Sequence, residues 1–97
     1  MIKHVVFFQF HPEHHAQRQE AVNQILSMKG KIPGLVDLTA GVDFKHSSRS
    51  WDVALIATLT DQTALEVYDQ HPVHQPVKSF LKPLYSQAAS VDFEEEI

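Results

Sequence analysis

The opening run of the chain, Ile2–Phe10, restricts the fold more than any other segment, because both of its faces are largely apolar. β-branched and aromatic residues dominate this run and it stops at His11-Pro12, which predicts a β-strand. Alternating side chains place Ile2, His4, Val6, Phe8 and Phe10 on one face, and Lys3, Val5, Phe7 and Gln9 on the other. A strand of this kind needs apolar cover on both sides.

Hydrophobic periodicity predicts the elements that follow. A helix is expected over residues 13–29, and two further helical stripes surround a break at His71-Pro72, the first of them capped by Asp61. Strands are expected over residues 35–44, 51–59 and 87–94. The order β-α-β-β-α-β in 97 residues predicts one α+β domain over residues 1–97, with a four-stranded antiparallel sheet and its helices on one face.

A second copy of the chain is expected to cover the other face of the sheet. In a monomer, Phe8 and Phe10, together with Leu55 and Leu59, are expected to form an exposed apolar patch larger than soluble monomers usually carry. Two sheets packed face to face would bury on the order of 1,000 Å². The sequence therefore predicts a homodimer.

Charge and composition exclude several classes of partner and site. The net charge is −4 and the eight basic residues are scattered, which argues against a nucleic-acid partner. The absence of cysteine excludes disulfides, thiolate metal sites and cysteine nucleophiles. No apolar run approaches the roughly 18 residues of a membrane span, so we expect no membrane partner and a cytoplasmic location.

A polar motif at residues 68–74 carries the main candidates for chemistry. It contains Tyr68, His71, Pro72 and His74 in an otherwise apolar region. A histidine base beside a phenol that stabilises an oxyanion suits enolisation and carbon–carbon bond closure. Under the structural interpretation, Tyr68 is the last core residue of its helix and His74 caps the next helix. His71 is interpreted as a residue that orients the turn.

His4 is the third candidate, because it shares a strand face with Val6, Phe8 and Phe10 and is expected to look into a cavity facing the partner. The alternative is a histidine hydrogen-bonded near a strand end. A metal shared by His4, His71 and His74 is disfavoured, since the proline restricts the geometry and no carboxylate is obviously placed. We expect no metal and no cofactor.

Other polar residues are interpreted as solvent-facing surface or as structural. His11, His14 and His15 are expected to be solvated at the first helix, and Asp92 and residues 94–96 to form a solvated acidic tail. Trp51 is expected to close one end of the sheet.

Five segments in order along nearly the whole chain resemble the stress-responsive A/B barrel (Dabb) family. They are Ile2-Lys3-His4-Val5-Val6-Phe7-Phe8, Ile32-Pro33-Gly34-Leu35, Gly41, the motif at residues 68–74 and Val91-Asp92-Phe93. The Tyr-x-x-His-Pro-x-His pattern is the most specific of these. The resemblance implies a ferredoxin-like fold that dimerises into an α/β barrel, with an apolar pocket beneath the sheet.

The family includes stress-induced proteins and a polyketide cyclase that closes a linear tetraketide by an aldol reaction. The resemblance places the cyclase's catalytic histidine on His74, its tyrosine on Tyr68 and its first-strand histidine on His4. This sequence departs from the cyclase at Val53, where the cyclase carries another histidine. The residues expected to line the ligand pocket are Val6, Phe8, Phe10, Val53, Leu55 and His71.

Two function classes stay open on this sequence. In the first, the barrel binds a small apolar or aromatic molecule and acts as a cofactor-independent cyclase or lyase. In the second, it is a non-catalytic stress or scaffold protein whose barrel serves assembly and stability. A cofactor-free oxygenase of the related barrel superfamily is less well supported, because its motifs are not evident.

Overall fold

The computed structural model describes residues 1–95 and confirms the predicted α+β, ferredoxin-like order. The elements are β1 (Ile2–Phe10), a 3-10 helix (Pro12–Gln17), α1 (Arg18–Leu26), β2 (Leu35–Val42), β3 (Val53–Leu59), α2 (Gln62–Gln70), α3 (His74–Leu81) and β4 (Tyr85–Glu94). Glu96, from the predicted acidic tail, lies outside the described residues. None of the helices within residues 1–95 is long and apolar enough to cross a membrane.

The four strands form one antiparallel sheet in the order β2-β3-β1-β4. The doubly apolar β1 lies inside the sheet, where Val6 is opposite Leu55 of β3 and Ser90 of β4. The helices pack on the face that carries these side chains, and the apolar stripes of α1 and α3 close the core over it. Buried core side chains from the helices include Val22, Ile25, Tyr68, Val77 and Leu81.

The predicted helix over residues 13–29 is shorter and interrupted. Its first part is a 3-10 helix, in which the His14 N–H donates to the His11 carbonyl at 2.9 Å, and α-helical geometry begins only at Arg18. A further tight turn follows Leu26 and ends at Gly30, whose φ is +81°. The predicted strands differ from the observed strands only at their ends. A 2.9 Å hydrogen bond from the Asp43 N–H to the Asp52 carbonyl closes the segment between β2 and β3.

The prediction of which sheet face needs a partner is wrong. Phe8 and Phe10 are 7% and 2% exposed because the helices cover their face, and Leu55 and Leu59 are buried with them. Alternation in β1 gave two apolar faces without identifying the one that the helices would cover.

The exposed apolar side chains lie instead on what we call the outer face, the sheet surface that points away from the helices. Its exposed apolar residues are Phe7, Ile56, Val91 and Phe93. Trp51 lies at one end of this face, where it lines a cavity of about 480 Å³ with Phe7 and the exposed Phe44. The face in need of cover is therefore the one opposite to the predicted face.

Candidate functional site

Pro72 ends α2 and shapes the motif at residues 68–74. Proline has no N–H, so it cannot donate the bond that would continue the helix to the carbonyl of Tyr68. That carbonyl accepts instead from the His71 N–H at 3.3 Å and from Nδ1 of His74 at 3.0 Å. The break therefore brings the imidazole of His74 back onto the residue that carries the phenol.

The Tyr68 carbonyl also determines which nitrogen of His74 carries hydrogen. A carbonyl oxygen can only accept, so Nδ1 is the donor and, in the neutral ring, Nε2 keeps its lone pair. The two rings lie against each other with centroids 4.4 Å apart and planes 31° from parallel. A nitrogen able to accept a proton thus stands beside the phenol.

Tyr68 is 1% exposed, and among the described residues its hydroxyl has no hydrogen-bond partner. Burial, followed by the charge of Asp69, raises the pKa of Tyr68 to about 12. The phenol is therefore neutral across the physiological range and acts as a donor. Buried hydroxyls nearly always find a partner, so this unpaired group calls for one supplied from outside the chain.

Burial lowers the pKa of His74, and the charge of Lys78 adds to that effect. Hydrogen bonds to the backbone at Tyr68 and Asp69, and the Asp69 charge, oppose it without reversing the direction. His74 is therefore a neutral imidazole at neutral pH, the form that can take up a proton.

This lowered pKa predicts a pH dependence of stability. Below the ordinary histidine pKa of 6.5 the unfolded chain binds a proton that folded His74 resists, so the His74 contribution is complete above that pH. We expect it to be lost as pH falls towards the lowered folded pKa. Urea titrations between about pH 7.5 and pH 5.5 should show a shallower fall in unfolding free energy for His74→Gln than for wild type. His15→Gln, at an exposed position, is the control, and an unchanged fall in His74→Gln would contradict the assignment.

His4 joins this pair from β1, and Asp92 of β4 holds it in place. The two residues are opposite each other in the antiparallel ladder, and Nδ1 of His4 is hydrogen-bonded to Oδ1 of Asp92. A carboxylate only accepts, so the neutral ring of His4 also leaves Nε2 free. The ring stands edge-on to Tyr68 with centroids 5.8 Å apart.

Two expectations are corrected by this arrangement. Asp92 is exposed, as expected, but it lies in β4 and not in a tail, and its carboxylate holds the ring of His4. His4 does not face a partner across the sheet, since its side of β1 is the helix-covered side.

His4, Tyr68 and His74 meet in a cavity of about 560 Å³ between the sheet and α3. Apolar side chains from both layers line it, among them Val6, Phe8, Leu55, Val77 and Leu81. Small residues of β4, Ala88 to Ser90, form another wall, and that strand is exposed along its length. The cavity is therefore apolar within and polar where the three rings converge.

Three predicted lining residues lie elsewhere. Phe10 is packed in the core and Val53 lines the second cavity near Trp51. Nδ1 of His71 accepts from the Val73 N–H at 3.1 Å, so this ring serves the helix break, in line with its structural interpretation. Within residues 1–95, no three His, Cys, Asp or Glu side chains converge on a point where a metal ion could bind.

Two lysines that line the cavity, Lys78 and Lys82, were absent from the predicted site. The signal for them was present in the sequence. They follow His74 at spacings of four and eight residues, which places all three on one side of a helix.

Comparison with known proteins identifies the family. The model described as Stress responsive A/B Barrel Domain matches residues 2–95. No curated protein matches the chain.

Solved structures share the fold along nearly the whole chain. A dimeric protein of unknown function and ferredoxin-like fold from Bacteroides fragilis superposes with a TM-score of 0.86 at 21% identity, covering 97% of this chain and 95% of that one. A dimeric ferredoxin-like protein of unknown function from Jannaschia sp. gives 0.77 at 26%, covering 97% and 98%. The hydroxynitrile lyase from Passiflora edulis gives 0.80 at 11%, covering 95% and 90%.

Proposed function

This chain belongs to the stress responsive A/B barrel domain family, and we propose that it binds a small apolar carbonyl compound under its sheet and catalyses proton transfer on it. The carrying observation is the buried, unpartnered Tyr68 hydroxyl beside a neutral His74 in a cavity of about 560 Å³. An unsatisfied buried hydroxyl costs about 1–3 kcal/mol, and a ligand oxygen in the cavity would recover that energy.

The proposed step is enolisation. Nε2 of His74 takes a proton from the carbon next to the carbonyl, the electron pair of the broken C–H bond forms a C=C bond, and the π pair of the C=O bond moves to the carbonyl oxygen. Tyr68 donates its hydrogen bond to that oxygen as negative charge develops there. His4, held by Asp92, offers Nε2 as a second hydrogen-bond acceptor beside the pair. The enolate carbon then either takes the proton back from His74 or attacks a second carbonyl of the ligand, in which case the proton of His74 passes to the new alkoxide. The second course forms a carbon–carbon bond, as in a cyclase, and its reverse breaks one, as in a lyase.

Two further observations support this class of activity. The lining is mostly apolar, as expected of a pocket that excludes water around a few converging polar groups. The Passiflora edulis neighbour is named as a lyase, so the shared fold accommodates an enzyme of that class, although 11% identity supports the fold alone.

The competing function is a non-catalytic stress or scaffold protein, and the exposed outer face favours assembly in either case. Neighbours from Bacteroides fragilis and Jannaschia sp. are described as dimeric. We propose that this chain also forms a homodimer, through the outer face. Assembly and catalysis are compatible, because the cavity opens on the opposite side of the sheet. The expected cytoplasmic location stays a prediction.

Tyr68→Phe separates the catalytic from the structural interpretation. Removing an unpaired buried hydroxyl should raise the unfolding free energy by about 1 kcal/mol, while weakening catalysis about tenfold or more. The readout is hydrogen–deuterium exchange next to the ketone of methyl 8-oxodecanoate in deuterium oxide, followed by NMR, with urea unfolding in parallel.

Thr63→Val is the matched control, since it removes an exposed hydroxyl from the same helix. It should change neither the exchange rate nor the unfolding free energy. His74→Ala should reduce exchange to the buffer rate. If wild-type protein exchanges the hydrogens next to the ketone no faster than buffer does, or if Tyr68→Phe unfolds more easily than wild type, the structural interpretation stands.

A further inference from the structure

α3 presents a row of polar side chains along the cavity. His74, Lys78 and Lys82 follow at intervals of four residues, and all three line the same space. At 1.5 Å of rise per residue, Lys82 lies about 12 Å from His74 along the helix axis. The proton-transfer end of the cavity and the lysine end are therefore separated by the length of a small ligand.

The two lysines differ in their partners. Nζ of Lys78 donates to the Asp69 carbonyl at 2.8 Å and to the Asp69 carboxylate at 2.9 Å, so the carboxylate compensates the charge of this lysine. Lys82 takes part in no ion pair within residues 1–95. Within the part of the chain that the structure describes, the rim of the cavity thus carries one uncompensated positive charge, in a chain whose net charge is −4.

Between the two polar ends the walls are mainly apolar, apart from Lys78 and its partner Asp69. Val77 and Leu81 project from α3, and Val6 and Phe8 from β1. Such walls favour a hydrocarbon body and disfavour charge along the middle of a ligand.

We propose that the ligand is an oxo carboxylate, bound with its carbonyl at Tyr68 and His74, its hydrocarbon body between α3 and the sheet, and its carboxylate at Lys82. This inference rests on the proposed function and adds the charge of the ligand to it. A single free ammonium matches a monoanion, whereas the phosphate of a dianionic ligand would leave one charge without a partner.

The test compares 8-oxodecanoate with its methyl ester, which has the same ketone and hydrocarbon chain but no charge. Isothermal titration calorimetry at low salt should show the acid binding wild-type protein up to about fivefold more tightly than the ester, the range of an exposed ion pair. Lys82→Gln should bring the acid to the affinity of the ester and leave ester binding unchanged. Higher salt should reduce the wild-type preference.

Lys31→Gln is the matched control, because it removes one positive charge from an exposed residue that does not line the cavity. It should keep the preference for the acid. If wild type binds both compounds equally, or if Lys31→Gln loses the preference as fully as Lys82→Gln, the carboxylate assignment is overturned while carbonyl binding stands. If neither compound binds, the proposed function fails and this inference fails with it.

Discussion

Gly34→Ala is expected to lower the unfolding free energy by about 3 kcal/mol. Gly34 has φ +82°, a left-handed conformation that costs an alanine about 1–2 kcal/mol. A Cβ built on it would also lie 2.6 Å from Cβ of Ala64, well inside contact distance. Overpacking of this kind adds about 1–3 kcal/mol.

Gly30→Ala provides the comparison. Its φ of +81° is nearly the same, but nothing lies within 4 Å of the Cβ position. We expect a loss of about 1 kcal/mol from the backbone alone, so the difference between the two variants measures packing against α2. Urea unfolding of both variants gives these values. Equal losses would contradict the close approach of Gly34 to α2.

Ile56→Asp on the outer face is expected to convert the proposed dimer into a monomer, weakening association about a thousandfold or more. Ile56 is 41% exposed at the centre of β3, so we expect the folded protomer to tolerate the substitution, and circular dichroism of the variant checks this. In the dimer it would bury an unpaired carboxylate on each side, at a cost of several kcal/mol per ion. Sedimentation equilibrium at low micromolar concentration measures the change.

Val67→Asp is the control for this experiment. Val67 is 43% exposed but lies on α2, on the helix side of the sheet, so its carboxylate should leave the dimer intact. Wild-type protein that is monomeric at these concentrations, or Ile56→Asp that stays dimeric, would contradict the proposed interface.

The fold could be predicted from the sequence because its signals are local. The alternation in β1, the cap at Asp61 and the break at Pro72 each depend on neighbours a few residues away, and the order of elements follows from them. The Asp61 carboxylate does accept from the Ala64 N–H, at 2.8 Å. Tyr68 and His74 could be identified as candidates for the same reason, because they lie only six residues apart on the two sides of the helix break.

The predictions that were wrong concern features that depend on contacts between residues far apart in the chain. Phe7 and Phe8 are adjacent and chemically identical, and only the docking of the helices makes one exposed and the other buried. Asp92 could be matched with His4 only once β1 and β4 were known to pair in that register, 88 residues apart in the chain. Neither assignment is encoded in local periodicity.

The oxygen of the Tyr68 carbonyl has a consequence for the way the site tolerates motion. This atom belongs to the phenol-bearing residue and also anchors the imidazole of His74. If α2 and α3 shift together, the hydrogen bond to this atom keeps the gap between the two reagents nearly constant while their distance to the sheet varies. Changes in the width of the cavity, as ligands of different girth enter, can then be absorbed by the sheet–helix gap without separating acid from base.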